Sequence, residues 1–151
     1  MTNQVLCNNM TAINETLNFI LNLSKAQAVI SRKFDAKLSA YGMGSNDFII
    51  LYTLNQAHGE KLRRIDLAAQ IGLTASGVTR MLAPMEKIGL VSRETNERDA
   101  RVSYVVLAPG GKRLLQEALS TAENAASDLF SKAKIKGIDK LTQSLINIAG
   151  I

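Results

Sequence analysis

Between Leu62 and Gly111 the sequence LRRIDLAAQIGLTASGVTRMLAPMEKIGLVSRETNERDARVSYVVLAPGG gathers side chains suited to non-covalent recognition. Thr74, Ala75, Ser76, Gly77, Thr79 and Arg80 form a run of small and hydrogen-bonding groups ending in a cation. On a helix, such a surface can enter a DNA major groove, where base edges present donors and acceptors that hydroxyl and guanidinium groups can read. Farther on, Arg98, Asp99 and Arg101 crowd charges onto a short loop. Residues two apart on an extended chain point the same way, so the Asp99 carboxylate can orient the Arg101 guanidinium. An oriented arginine suits a narrow minor groove, where the negative potential is enhanced. Arg98, facing otherwise, suits a phosphate.

The elements that must hold these groups can be read locally. Ile65, Leu67, Ala68 and Ile71 recur at near-helical spacing and predict a helix packed on that face. Gly72 ends it, and Thr74 can cap a second helix by accepting from a free N–H near Ser76 or Gly77. Val78, Met81, Leu82, Met85 and Ile88 then give the second helix one apolar face, which leaves the Ala75–Arg80 surface opposite. Gly77 either lets the backbone approach DNA closely or means that the helix is simply short here. Pro84 either kinks the helix or is absorbed by local relaxation. After Gly89 the period changes to two, predicting strands Val91–Glu94 and Val102–Leu107 around a loop of residues 95–100. Leu62–Arg63 can add a short third strand. Arg63 or Arg64 then stands where a helix cap is common, and the Arg64 side chain faces phosphate or extends into solvent. Two helices, a tight turn and a charged hairpin make a winged helix-turn-helix.

This stretch resembles the MarR (multiple antibiotic resistance regulator) family of bacterial transcription factors. The family's wing signature is matched by Asp99, Arg101, Leu107 and Gly111, with Ala108 where a capping Thr is usual. Pro109, with φ pre-set for a first helical turn, offsets part of that loss. The recognition helix matches through Leu73-Thr74, Val78-Thr79-Arg80 and Glu86-Lys87-Ile88-Gly89-Leu90. The resemblance is strong over residues 62–111 and topological elsewhere. It implies a homodimer whose terminal helices interlace, bound to double-stranded DNA at a pseudo-palindrome. It also implies a cleft for a small aromatic or phenolic effector between the dimer helices and the wing domain. Lys25 or Arg32 could supply a cation there, but the sequence singles out no effector site.

The remaining segments agree with that plan. Ile13, Leu17, Ile20, Leu21, Ile30, Phe34 and Leu38 predict one long helix over residues 11–41. Ser45 can cap a helix from Asn46 to Gln56 whose apolar residues cover more than half its circumference, which predicts burial. Lone His58 reads as a solvated turn residue. A second long helix is expected from Gly110 to about Lys134, broken by Gly137. A last helix sets Ile138, Leu141, Leu145 and Ile148 in a narrow seam suited to a partner helix. The fold class expected is mainly α with a small β-hairpin wing, a winged helix-turn-helix flanked by N- and C-terminal dimerisation helices. Residues 1–151 are read as a single domain, with dimerisation helices at 11–41 and 110–151 and the DNA-binding unit at 45–109.

Bulk properties narrow the function further. The net charge is +5 over 151 residues. Residues 60–113 hold ten of the cations against six anions, so the excess lies on the DNA-binding unit, as a phosphate-attracting patch requires. The only cysteine, Cys7, permits no intrachain disulfide, and neither a membrane span nor a signal peptide is evident, so a cytoplasmic location is expected. No cofactor or metal site is expected. An enzyme lacks support, since no nucleophile–base pair, phosphate loop or paired carboxylates occur at usable spacing. The alternatives are a winged-helix protein-interaction module and a redox-sensing regulator acting through Cys7. One branch of the MarR family senses peroxide through an N-terminal cysteine, but Cys7 lies upstream of the matching region, without a basic or aromatic neighbour to lower its pKa. Cys7→Ser is therefore expected to bind DNA like the unmodified chain with and without hydroperoxide. A peroxide-triggered release that needs Cys7 would overturn this.

Overall fold

The computed structural model describes residues 13–96 and 99–150. Six helices run as α1 (Glu15–Leu38), α2 (Ser45–Gln56), α3 (Arg64–Gln70), α4 (Ala75–Lys87), α5 (Pro109–Ala133) and α6 (Ile138–Ala149). Strands β1 (Lys61–Arg63), β2 (Val91–Asn96) and β3 (Asp99–Leu107) form an antiparallel sheet in the order β1-β3-β2. Short 3-10 turns, Ser39–Tyr41 and His58–Glu60, follow α1 and α2. The fold is the expected one, mainly helical with a winged helix-turn-helix at its centre, and the wing sheet has three strands.

Leu38, Ile50, Leu51, Leu54, Leu67, Val78 and Leu82 are fully buried and join α1, α2, α3 and α4 in one core. Val91, Val105 and Leu107 close it from the sheet, and Leu115, Ala118 and Ala122 from α5. Three expected apolar faces need correction. Ile65 and Ile88 are 64% and 65% exposed and do not pack with their helices' buried residues. On α2, Ile49 and Tyr52 stay open to solvent while Ile50, Leu51 and Leu54 are buried. That helix has one packed side, and Tyr52 stacks on Phe48 at 6.3 Å between ring centroids.

Helix ends differ in instructive ways. α1 starts at Glu15, with Asn14 as its cap accepting from the Leu17 N–H at 2.8 Å, and Thr11 lies outside the described residues. Ser45 does not cap α2. It is the first helical residue, Gly44 is the N-cap, and the Ser45 N–H donates to Asp35 Oδ1 at 2.7 Å. Asp47 Oδ2 accepts from the Gly44 N–H at 2.9 Å. Two carboxylates thus satisfy two of the open amides at the start of α2, where the helix dipole favours negative charge. The Ser45 backbone N–H, and then its side chain, hold the Asp35 carboxyl below its ordinary value. This contribution to folding is present above the ordinary aspartate pKa of ~4 and disappears as the pH falls below it. Lys134, in the left-handed conformation at φ 51°, ends α5, and Gly137 caps α6 instead of breaking α5.

The hairpin strands are longer than expected, so less of the segment 95–100 is loop. β2 and β3 pair from Val91↔Leu107 to Thr95↔Ser103, and the register shifts between Thr95 and Asn96.

At the other end of the sheet, β3 leads directly into α5. Pro109 is the first helical residue, and Ala108 at the cap makes no side-chain bond. The Ala108 N–H donates to Leu90 O at 3.1 Å. Gly111 is buried, and a Cβ there would lie 2.1 Å from Leu90 O and 3.0 Å from Leu51 Cδ2. Backbone and core side chain leave no room for a methyl group. Gly111→Ala is expected to cost ~3 kcal/mol, the upper end of ordinary overpacking, despite the better helix propensity of alanine. Urea unfolding checks it; a variant as stable as the unmodified chain would contradict the close approach.

Candidate nucleic-acid interface

The helix-turn-helix is made by local chemistry. Gly72 turns the chain after α3 at φ 68°, a conformation that costs glycine nothing. Thr74 then caps α4, its Oγ1 accepting from the Gly77 N–H at 3.1 Å. The Thr74 and Ser76 hydroxyls are 3.2 Å apart. A Cβ on Gly77 would sit 3.1 Å from Thr74 Oγ1, so the glycine leaves space for the cap. The helix runs unbroken through Pro84.

α4 divides cleanly. Val78, Leu82 and Met85 are buried, whereas Thr74, Ala75, Ser76 and Arg80 are exposed and Gly77 and Thr79 half-buried. The outward face is therefore the surface expected from the sequence. The β2–β3 hairpin forms the wing of the same unit. Asp99 and Arg101 fall in the first residues of β3, while Arg98, like Cys7, lies outside the described residues.

Arg64 is engaged within the chain in a way neither reading of it anticipated. Its guanidinium does not simply extend into solvent, and two of its five donors are taken by hydroxyls. Nη1 donates to Thr79 Oγ1 at 3.2 Å and Nη2 to Ser103 Oγ at 3.1 Å, in a half-buried position. Arg63, the residue at the N-cap of α3, provides no cap and pairs with Asp66 at 2.6 Å. Nothing in the sequence linked Arg64 to Ser103, because those two residues are far apart in the chain.

Charge pairing refines the patch. Lys61–Glu94, Arg63–Asp66, Arg93–Glu86 and Lys112–Glu60 are ion pairs. These pairs use every anion of residues 60–96. Lys61 also lies 5.2 Å from the centre of the Tyr104 ring. Arg64, Arg80, Lys87 and Arg113 take part in none of these pairs. Two of these, Arg64 and Arg80, lie at or beside the exposed face of α4. His58 is exposed, as expected for a turn residue. Among the described residues no group of three His, Cys, Asp or Glu could hold a metal, and no helix is long and apolar enough to cross a membrane.

Residues 45–103 match the model of the MarR family. The chain is 26% identical over 106 residues to the transcriptional repressor MprA of Escherichia coli, an alignment covering 70% of this chain and 60% of that protein. The chain thus spans less than two thirds of the length of that relative. Among solved structures, the transcriptional regulator BldR from Sulfolobus solfataricus is similar, with a TM-score of 0.81 and 25% identity over 93% of this chain and 99% of that one. Sco3205, a MarR family transcriptional regulator from Streptomyces coelicolor in complex with DNA, gives a TM-score of 0.79 at 20% identity over 92% of each chain.

The cap of α4 has a measurable weight. Thr74→Ala is expected to lower stability by ~1 kcal/mol, the usual cost of removing a threonine cap. Chemical denaturation reads this in the absence of DNA. An unchanged midpoint would show that α4 does not depend on the Thr74 hydroxyl.

Proposed function

We propose that this chain, whose residues 45–103 match the MarR family, is a sequence-specific, double-stranded DNA-binding transcriptional regulator. It works as a ligand-responsive homodimeric repressor on a pseudo-palindromic operator. The observation that carries the reading is the outward face of α4, which offers Ala75, Ser76, Thr79 and Arg80 beside a hairpin wing. Thr74 and Gly77 shape the start of that helix. In this reading α4 lies in the major groove, Arg101 enters the adjacent minor groove with Asp99 orienting it, and Arg98 meets a phosphate.

The dimer is supported by apolar surface that one chain leaves uncovered. Ile13, Leu17, Phe19, Ile20 and Leu21 on or beside the first turns of α1 are exposed, as are Ile138, Leu141, Leu145 and Ile148 of α6. α6 buries no residue at all against its own chain. A second copy covers these faces, and two-fold symmetry places the two α4 helices on neighbouring major grooves about 34–36 Å apart. The effector is a small aromatic or phenolic compound, as in the family the chain resembles. The repressor MprA, by name, supports the sign of the regulation.

The test begins by selecting bound fragments from genomic DNA and titrating one operator against a scrambled duplex over several salt concentrations. Arg101→Ala is expected to weaken operator binding by ~1–3 kcal/mol while leaving the scrambled duplex unaffected. Arg98→Ala should weaken both and lower the salt slope by about one unit for each phosphate it no longer neutralises. Unchanged operator affinity for Arg101→Ala would sink the minor-groove assignment. Absence of any selected DNA would overturn the regulator reading itself.

A further inference from the structure

We propose that Arg64 is a positioning residue that locks the wing to α4, fixing the distance and angle between the two elements that read DNA. The inference rests on the DNA-binding function proposed above, and deepens it by naming what sets the geometry of that interface.

The guanidinium joins two hydroxyls on different elements. One is Thr79 Oγ1 on α4, at 3.2 Å, and the other is Ser103 Oγ on β3, at 3.1 Å. Thr79 gives its own proton to Ala75 O at 2.8 Å, so a lone pair is left facing Arg64. The bond therefore has a fixed direction.

The grip falls at a mechanically critical residue. β1 ends at Arg63, which pairs with Tyr104, so Ser103 is the first residue of β3 toward the tip without β1 beside it. Ser103 pairs only with Thr95 of β2, and the register shifts immediately beyond Thr95. From Ser103 outward the wing is a two-stranded ribbon, an arrangement of marginal stability by itself. Arg64 follows directly on β1 and begins α3, so its backbone belongs to the rigid body. Its side chain takes over as the third support where the third strand stops.

The residue type fits this task. A planar fork can hold two acceptors at once in fixed directions, whereas a lysine ammonium is a point charge on a flexible stem. Both acceptors are neutral, so their bonds to Arg64 leave its charge intact beside the interface. A contact aimed only at phosphate requires neither hydroxyl.

The experiment is a double-mutant cycle of Arg64→Gln and Ser103→Ala in operator binding by the whole chain, with Arg64→Lys as a third variant. Arg64→Gln and Ser103→Ala are each expected to lower operator affinity about ten-fold, and the double variant no further than either alone. Arg64→Lys should behave like Arg64→Gln, although it keeps the charge, and the salt slope should stay unchanged in Arg64→Lys and Ser103→Ala. Additive losses or rescue by lysine would instead identify independent DNA contacts and overturn the proposal.

A measurement on the free protein separates this inference from the function on which it rests. Amide hydrogen exchange of residues 99–102 is expected to rise in Arg64→Gln and in Ser103→Ala, with the α2 amides unchanged. Ser103→Ala removes one oxygen and leaves the core intact, so it remains informative if Arg64→Gln folds poorly. Exchange of the wing unaffected by Ser103→Ala would overturn the lock whether or not an operator is found.

Discussion

One backbone carbonyl, that of Leu90, lies where three parts of the molecule meet. Its oxygen accepts from Ala108 at the start of α5, and Gly111 passes so close that no side-chain atom fits between. The Leu90 N–H donates to Met85 O, closing the end of α4. The next residue, Val91, opens the sheet. The end of α4, the base of the wing and the first turn of α5 are thereby fixed with respect to one backbone group. A polar group in such a place must be paired, and both its donor and its acceptor are. Exclusion of a single methyl group at Gly111 is what permits the contact.

What could be read from the sequence was what depends on near neighbours. Thr74 as a cap, Gly72 as a stop, Pro109 as a first helical residue and the third strand through Leu62 all follow from chemistry within a few positions. The outward face of α4 was legible for the same reason, since one helical period separates it from Val78, Leu82 and Met85. Errors arose where a residue's character does not say which surface covers it. Ile65, Ile88, Ile49 and Tyr52 are apolar, yet none sits in the core of this chain. The bonds from Asp35 to Ser45 and from Arg64 to Ser103 were out of reach because tertiary structure alone brings those residues together. Ser45 illustrates the point: its hydroxyl made it look like the cap, but a carboxylate on another helix satisfies its amide.

Electrostatics in this chain work chiefly by subtraction. The surface pairs contribute little to folding, since exposed ion pairs are worth at most ~1 kcal/mol. Their larger effect is to cancel charge locally. Lys61, Arg93 and Lys112 are neutralised by partners contributed from other elements. Positive charge is left at places such as Arg64 and Arg80, near the outward face of α4. A modest overall charge can thus produce a directed field, because screening limits each group's reach to roughly 8–10 Å at ordinary salt.

The split of α4 into a packed and an open side has an evolutionary consequence. Val78, Leu82 and Met85 hold the helix against its neighbours, whereas Ala75, Ser76 and Arg80 are exposed. Substitutions at solvent-facing positions ordinarily change stability by no more than ~0.5 kcal/mol. The two sets of positions can therefore change independently. New residues on the outer face would alter what α4 meets without re-solving the folding problem. The scaffold can be kept whole while the surface it presents is rewritten.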